Sequence, residues 1–200
     1  EQALTICREI DHRQDEGNAL GNLGLAYRNL GEVRRAIEYH EQALEIDREI
    51  GDRRGEGTAL GNLGLAYADL GEVRRAIGTF EQALEIDREV GYRRGEAIRL
   101  GNLGIAYAQL GQLRRAIGTF EQALEIAREI GDRRAEGNHL GNLGLAYRHL
   151  GEVRRAIEYY QQALEIAREI GDRRNEGNQL GNLGLLAEDQ GDLERARDLW

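Results

Sequence analysis

The chain has 200 residues, 40% hydrophobic and 32% charged, and it holds no proline to interrupt a helix. Its 27 basic residues, all arginine, face 36 acidic ones, and a net charge of −9 argues against a nucleic-acid partner, which needs a basic face. No apolar run approaches bilayer length and no signal peptide is visible, so no membrane partner is expected; the single cysteine, Cys7, cannot form an internal disulfide, which points to a reducing, cytoplasmic setting.

The sequence falls into register with itself at an offset of 40. Stretches 21–60 and 141–180 differ at only seven of 40 positions, and no gap is needed. Residues 1–10 match 41–50, the back half of a second helix. Full repeats follow at 11–50, 51–90, 91–130 and 131–170, then a shortened one at 171–200 whose last ten residues match 31–40. With ends inside a repeat and no Met anywhere, the chain is expected to be a fragment or a processed product.

One repeat, 51–90, sets the elements in order. Gly51 suits the left-handed end of the preceding helix, and Asp52 suits the N-cap of the next. From Arg53 to Leu70, the residues Leu60, Leu63, Gly64, Tyr67 and Leu70 recur at spacings of three and four, which is one helix face. Gly71 stops that helix. Between Glu72 and Val90, Val73, Ala76, Ile77, Phe80, Ala83, Leu84 and Ile86 form a second amphipathic face, and Gly91 stops it. Two antiparallel helices joined by a short turn make a hairpin that cannot bury its apolar face alone. Each must therefore stack on its neighbours, and the expected fold is an all-α solenoid with a quasi-one-dimensional core. Gly57, Gly61 and Gly64 lie within the first helix, where each costs roughly 1 kcal/mol relative to Ala. Close helix approach explains that recurrence. A phosphate loop does not, because no strand precedes these glycines and no GxGxxG or Walker pattern is present.

Leu20, Leu23, Gly24, Tyr27, Ala36 and Ala43 stand at the spacing of the tetratricopeptide signature, and the chain resembles that family over essentially its whole length. Two features depart from the usual pattern. Arg48 and Arg88 stand where a proline is customary, and the period is 40 rather than 34. Longer proline-free repeats of this kind resemble those of kinesin light chains, of Pins/LGN adaptors, and of arrays attached to bacterial signalling NTPases and caspase-like proteases. The Leu20-Gly21-Asn22 triplet matches the Leu-Gly-Asn repeat of the adaptors.

The resemblance implies a right-handed superhelix whose first helices line a concave surface that binds a peptide or protein segment. It also implies an Asn ladder against the ligand backbone: Asn22, Asn62, Asn102, Asn142 and Asn182. A side-chain amide can both donate to and accept from an extended chain of any sequence. With helices about 10 Å apart and a rise of about 3.3 Å per residue, one Asn would meet about every third ligand residue. Gly21 and its equivalents would leave backbone room for that ligand. The other reading is that these Asn side chains bond within the solenoid.

Variation between repeats bears on the same face. Four first-helix positions change: Asn18, Thr58, Ile98, Asn138 and Asn178; Ala19, Ala59, Arg99, His139 and Gln179; Arg28, Ala68, Ala108, Arg148 and Glu188; and Asn29, Asp69, Gln109, His149 and Asp189. The first and last series share the stripe of the ladder Asn. Members of these series join the ladder as candidate peptide-binding residues: Asn18, Thr58, Ile98, Asn138, Asn178, Arg28, Arg148, Asn29, Asp69, Gln109 and His149. Neutral drift at exposed sites is the competing explanation, since second-helix positions such as Asp47/Ala127 vary too.

Catalytic readings are poor. The histidines His12, His40, His139 and His149 make no metal spacing, Cys7 takes the place of Asp47, read as a surface position, and no cofactor is expected. The pairs Arg34-Arg35 and Arg53-Arg54, near Glu and Asp, read as ion-pair networks at repeat junctions and on the outer face, with anion or phosphate binding the lesser alternative. Two functions remain: a groove for a peptide or protein segment, and an assembly module stacking head to tail, with Trp200 meeting Glu1 of another copy.

Overall fold

The computed structural model describes residues 2–10, 12–192, 194 and 196. Among them the only regular secondary structure is helical: α1 (Gln2–Glu9), α2 (Arg13–Asn29), α3 (Val33–Ile50), α4 (Arg53–Asp69), α5 (Val73–Glu89), α6 (Arg93–Gln109), α7 (Leu113–Glu129), α8 (Arg133–His149), α9 (Val153–Glu169) and α10 (Arg173–Asp189). Glu1 and Trp200, on which the head-to-tail reading depends, lie outside the described residues.

The chain divides into two compact units, Glu1–Ala106 and Tyr107–Trp200. In the first, α1 packs on α2, α2 on α3, α3 on α4 and α4 on α5. In the second, α7 packs on α8, α8 on α9 and α9 on α10. The hairpins therefore stack in chain order within each unit, as repeat hairpins with unburied apolar faces must.

Local chemistry fixes the helix ends. Gly51 sits at φ 73°, and its N–H donates to the Arg48 carbonyl while that of Asp52 donates to Asp47 at 2.8 Å. The left-handed glycine thus returns the chain onto carbonyls that the ending helix leaves open. Asp52 then caps α4 by accepting from the Gly55 N–H at 2.8 Å. Asp132 and Asp172 cap α8 and α10 the same way.

The core repeats with the sequence. In the second repeat Leu60, Leu63, Tyr67, Ala76, Phe80, Leu84 and Ile86 are buried. Each large member is worth roughly 1.5–3 kcal/mol on burial. A Cβ on Gly64 would overlap the Phe80 ring, and one on Gly57 would lie 3.1 Å from Ile86 Cγ2. Both glycines admit second-helix side chains against the first-helix backbone, which is the close approach that offsets their helix-propensity cost.

One set of arginine–acid networks falls at the repeat junctions, while Arg35 with Glu32 and Arg75 with Glu72 pair at the turn within a hairpin. Glu56 at the start of α4 is buried and accepts from Arg48 Nε at 2.8 Å and from Arg53. Arg53 also reaches Glu89. Burial pushes the Glu56 carboxyl up, but the two guanidinium groups more than offset this and hold it below its ordinary value. Glu136 and Glu176 are clamped alike by Arg128 with Arg133, and by Arg168 with Arg173.

Candidate functional site

The first helices of each unit present the ladder residues at a common register. Asn22 is exposed, and Asn62, Asn102, Asn142 and Asn182 are half-buried. None of the five side chains hydrogen-bonds to another described residue. The amides are thus free to pair with something external, and the alternative of bonds within the solenoid finds no partner among the described residues.

The i−4 series Asn18, Thr58, Ile98, Asn138 and Asn178 is exposed throughout. Two of its members have local duties. Thr58 Oγ1 donates to the Arg54 carbonyl at 3.0 Å, and Asn138 Oδ1 accepts from Asn175 Nδ2 at 3.0 Å. Asn29, Gln109 and His149 are exposed near the helix C-termini. Arg28 and Arg148 are engaged: Arg28 donates from Nε to Asp69 Oδ2 at 2.6 Å, and Arg148 donates to Asp189 at 3.1 Å. These pairs link successive first helices, so a ligand would meet them as formed ion pairs.

The series Ala59, Arg99, His139 and Gln179 is buried, with only Ala19 partly open. Two expectations are corrected. Space beside the helical glycines is not uniformly free. A Cβ on Gly61 would overlap the Arg99 guanidinium, and one on Gly141 would lie 3.0 Å from Gln179 Nε2. At Gly21 nothing lies within 4 Å. Finally, Asp47 is only 7% exposed, and Cys7, at the same repeat position, is partly buried. The pitch of the helix places this residue toward the following first helix, where a surface reading fails.

A cavity of about 270 Å³ opens between α2 and α4. Asn18, Gly21, Asn22, Thr58 and Asn62 line it, joined at the floor by Gly17, Asp47 and Ala59. Burial, followed by the charges of Asp52 and Glu56, pushes the Asp47 carboxyl up to about 6. Asp52 is held below its ordinary value, chiefly by the Gly55 N–H and the Gln14 amide. His40, which also lines the cavity, is fully buried with both ring nitrogens unbonded, and burial lowers it to about 4. Sequence reasoning missed Asp47 and Ala59. The available signal was that the acid stands at 47 and 87, with Ala59 and Arg99 at the partner position, whereas Ala127 goes with His139 and Ala167 with Gln179.

Among the described residues no group of three His, Cys, Asp or Glu is placed to hold a metal ion, and no helix is long and apolar enough to cross a membrane. Consecutive helix pairs with an amide-lined face define a helical-repeat interaction fold. The tetratricopeptide repeat family model matches residues 1–49, 50–129 and 135–199, and the chain belongs to that family. No curated protein matches the sequence. Among solved structures, the chain is similar to BtubC (BKLC) from P. vanneervenii, with a TM-score of 0.87 and 22% identity over 99% of this chain and 84% of that one. It is similar to a signal-transduction ATPase with a tetratricopeptide repeat sensor, PH0952 from Pyrococcus horikoshii: TM-score 0.82, 22% identity, 92% of this chain and 29% of that one. It is also similar to a Rap protein complexed with competence and sporulation factor: TM-score 0.78, 17% identity, 92% of this chain and 52% of that one. At these identities the likeness is one of fold.

Proposed function

We propose that the chain is a non-enzymatic, cytoplasmic interaction scaffold that takes an extended peptide or protein segment against the face of its first helices. One observation carries the reading: Asn22, Asn62, Asn102, Asn142 and Asn182 hold no hydrogen bond to a described residue, while the exposed i−4 series flanks them. An amide that donates and accepts can hold the backbone of a ligand of any sequence, and the flanking series supplies side-chain preference. The fold likeness to a repeat sensor and to a Rap protein with a bound factor supports a sensing or adaptor role.

Peptide-display selection against the full chain tests this. Asn22→Ala with Asn62→Ala should weaken selected ligands about tenfold or more, the worth of one or two backbone hydrogen bonds, with melting unchanged. Ligands indifferent to that pair, and to Asn142→Ala with Asn182→Ala, would place binding elsewhere.

A further inference from the structure

We propose that the cavity between α2 and α4 is a guanidinium pocket that receives an arginine side chain of the bound peptide. The proposal rests on the peptide-binding reading and names the chemistry of one of its subsites.

The next repeat supplies the pattern internally. Between α4 and α6, Arg99 Nε donates to Asp87 Oδ2 at 3.2 Å and Nη2 donates to the Gly57 carbonyl at 3.3 Å. The guanidinium lies over Gly61, where a Cβ would overlap it. Moved back by one 40-residue period, these three groups become Asp47, Gly17 and Gly21, and Arg99 becomes Ala59. The receptor half of the arrangement is therefore present between α2 and α4, and the arginine half is missing. Space is left in its place: nothing lies within 4 Å of a Cβ built on Gly21, and Gly17, Gly21, Asp47 and Ala59 line a cavity of about 270 Å³.

Beside the neutral His40 ring, Asp47 is the acidic group that the pocket leaves unsatisfied. It is 93% buried by its 7% exposure, and its carboxylate has no hydrogen bond or ion pair with a described residue. The charged groups around it are already committed. Glu56 is bound by Arg48 and Arg53, Asp52 caps α4 and accepts from Gln14, and Arg54, at the cavity wall, stacks over Tyr92 at 4.6 Å. A buried carboxylate without a cation is costly, which gives an entering cation its gain. The fork of a guanidinium can span a carboxylate and a backbone carbonyl together, and a lysine ammonium cannot reproduce that geometry. The second unit lacks the feature: Ala167 replaces the acid, and Gln179 occupies the space over Gly141.

The test is an amide-resolved NMR titration of the full chain with N-acetyl-arginine amide and, separately, N-acetyl-lysine amide. Saturable shifts at Gly17, Gly21 and Gly55 are expected with the arginine compound and much weaker ones with lysine. Asp47→Asn should weaken the arginine response about ten- to hundredfold, as loss of a hydrogen bond between charged groups does. Gly21→Ala, whose methyl meets no protein atom, should weaken it similarly while the fold stays intact. No saturable shift, equal response to lysine, or a response unchanged in Asp47→Asn would overturn the proposal. So would concentration-dependent self-association abolished by Asp47→Asn, which would make a second copy of the chain the source of the arginine. Peptide selection run in parallel separates the two claims. Ladder-dependent ligands without an arginine response overturn the pocket alone, and absence of both overturns the groove as well.

Discussion

The Arg99 guanidinium occupies the space that a side chain on Gly61 would need, one first helix reaching over the backbone of the one before it. Burial pulls this guanidinium below its ordinary pKa and pushes its partner Asp87 up, despite their contact. Their contact opposes both shifts and so offsets part of the desolvation cost, while the guanidinium fills the gap over Gly61.

Two glycines one period apart should consequently respond in opposite ways. Gly21→Ala is expected to stabilise by up to about 1 kcal/mol, because it removes a helix-propensity cost and meets nothing. Gly61→Ala should destabilise by about 1–2 kcal/mol by displacing a hydrogen-bonded guanidinium. In an Arg99→Ala background, Gly61→Ala should turn stabilising. Urea denaturation of the four variants checks this, and equal effects at both glycines would count against it.

Asp47 gives a pH signature. Its folded pKa is raised from 3.8 to about 6 by burial, so above pH 6 the chain carries a charged carboxylate at a cost that vanishes below about pH 4. Asp47→Asn should therefore stabilise by at most about 2–3 kcal/mol at pH 8 and by almost nothing at pH 4. Melting curves across that window show it; an equal benefit at both pH values would contradict the assignment.

His40 carries the opposite sign. Its folded pKa is lowered to about 4, so stability is kept above pH 6.5 and is lost as pH falls toward 4, because the unfolded chain takes up the proton first. Phe80 and Phe120 occupy the same repeat position. His40→Phe should stabilise by about 1–3 kcal/mol at pH 7, through removal of unbonded ring nitrogens, and by more at pH 5. Tyr160→Phe, which deletes a buried hydroxyl without a partner, should stabilise by about 1 kcal/mol with no pH dependence near neutrality. A loss of stability in either variant would contradict this.

The junction glutamates should tolerate substitution least. Glu56 and Glu136 each gather two arginines while buried themselves. Glu56→Ala is expected to cost about 1.5–3 kcal/mol, the usual worth of charge-assisted hydrogen bonds, because the arginines left behind are half-exposed and return to water. Chemical denaturation reads it directly, and a cost below 1 kcal/mol would mean that the junction is held by apolar packing alone.

Much of the fold is legible in the sequence, because its determinants are local and recur five times. Leu60, Leu63 and Tyr67 set the helical face, and Gly51 with Asp52 marks the boundary within one residue of where α4 begins. The burial of Asp47 and of Arg99 was not legible. Each faces a neighbouring helix some 10 to 50 residues away, and helical period cannot say which solvent-side residue a neighbour will cover. The variation at Arg99 and Gln179 lies in contacts between repeats, Arg99 over Gly61 and Gln179 beside Gly141. The Asn ladder was legible as a pattern because it recurs without exception, and the structure adds that its amides are unbonded.

The most direct measurement of the central claim is the side-chain amide spectrum of the full chain as a selected peptide is added. The account predicts that the Asn22 and Asn62 amide resonances shift and slow their exchange with solvent at saturation. Saturation with those resonances unmoved, together with those of Asn142 and Asn182, would contradict it.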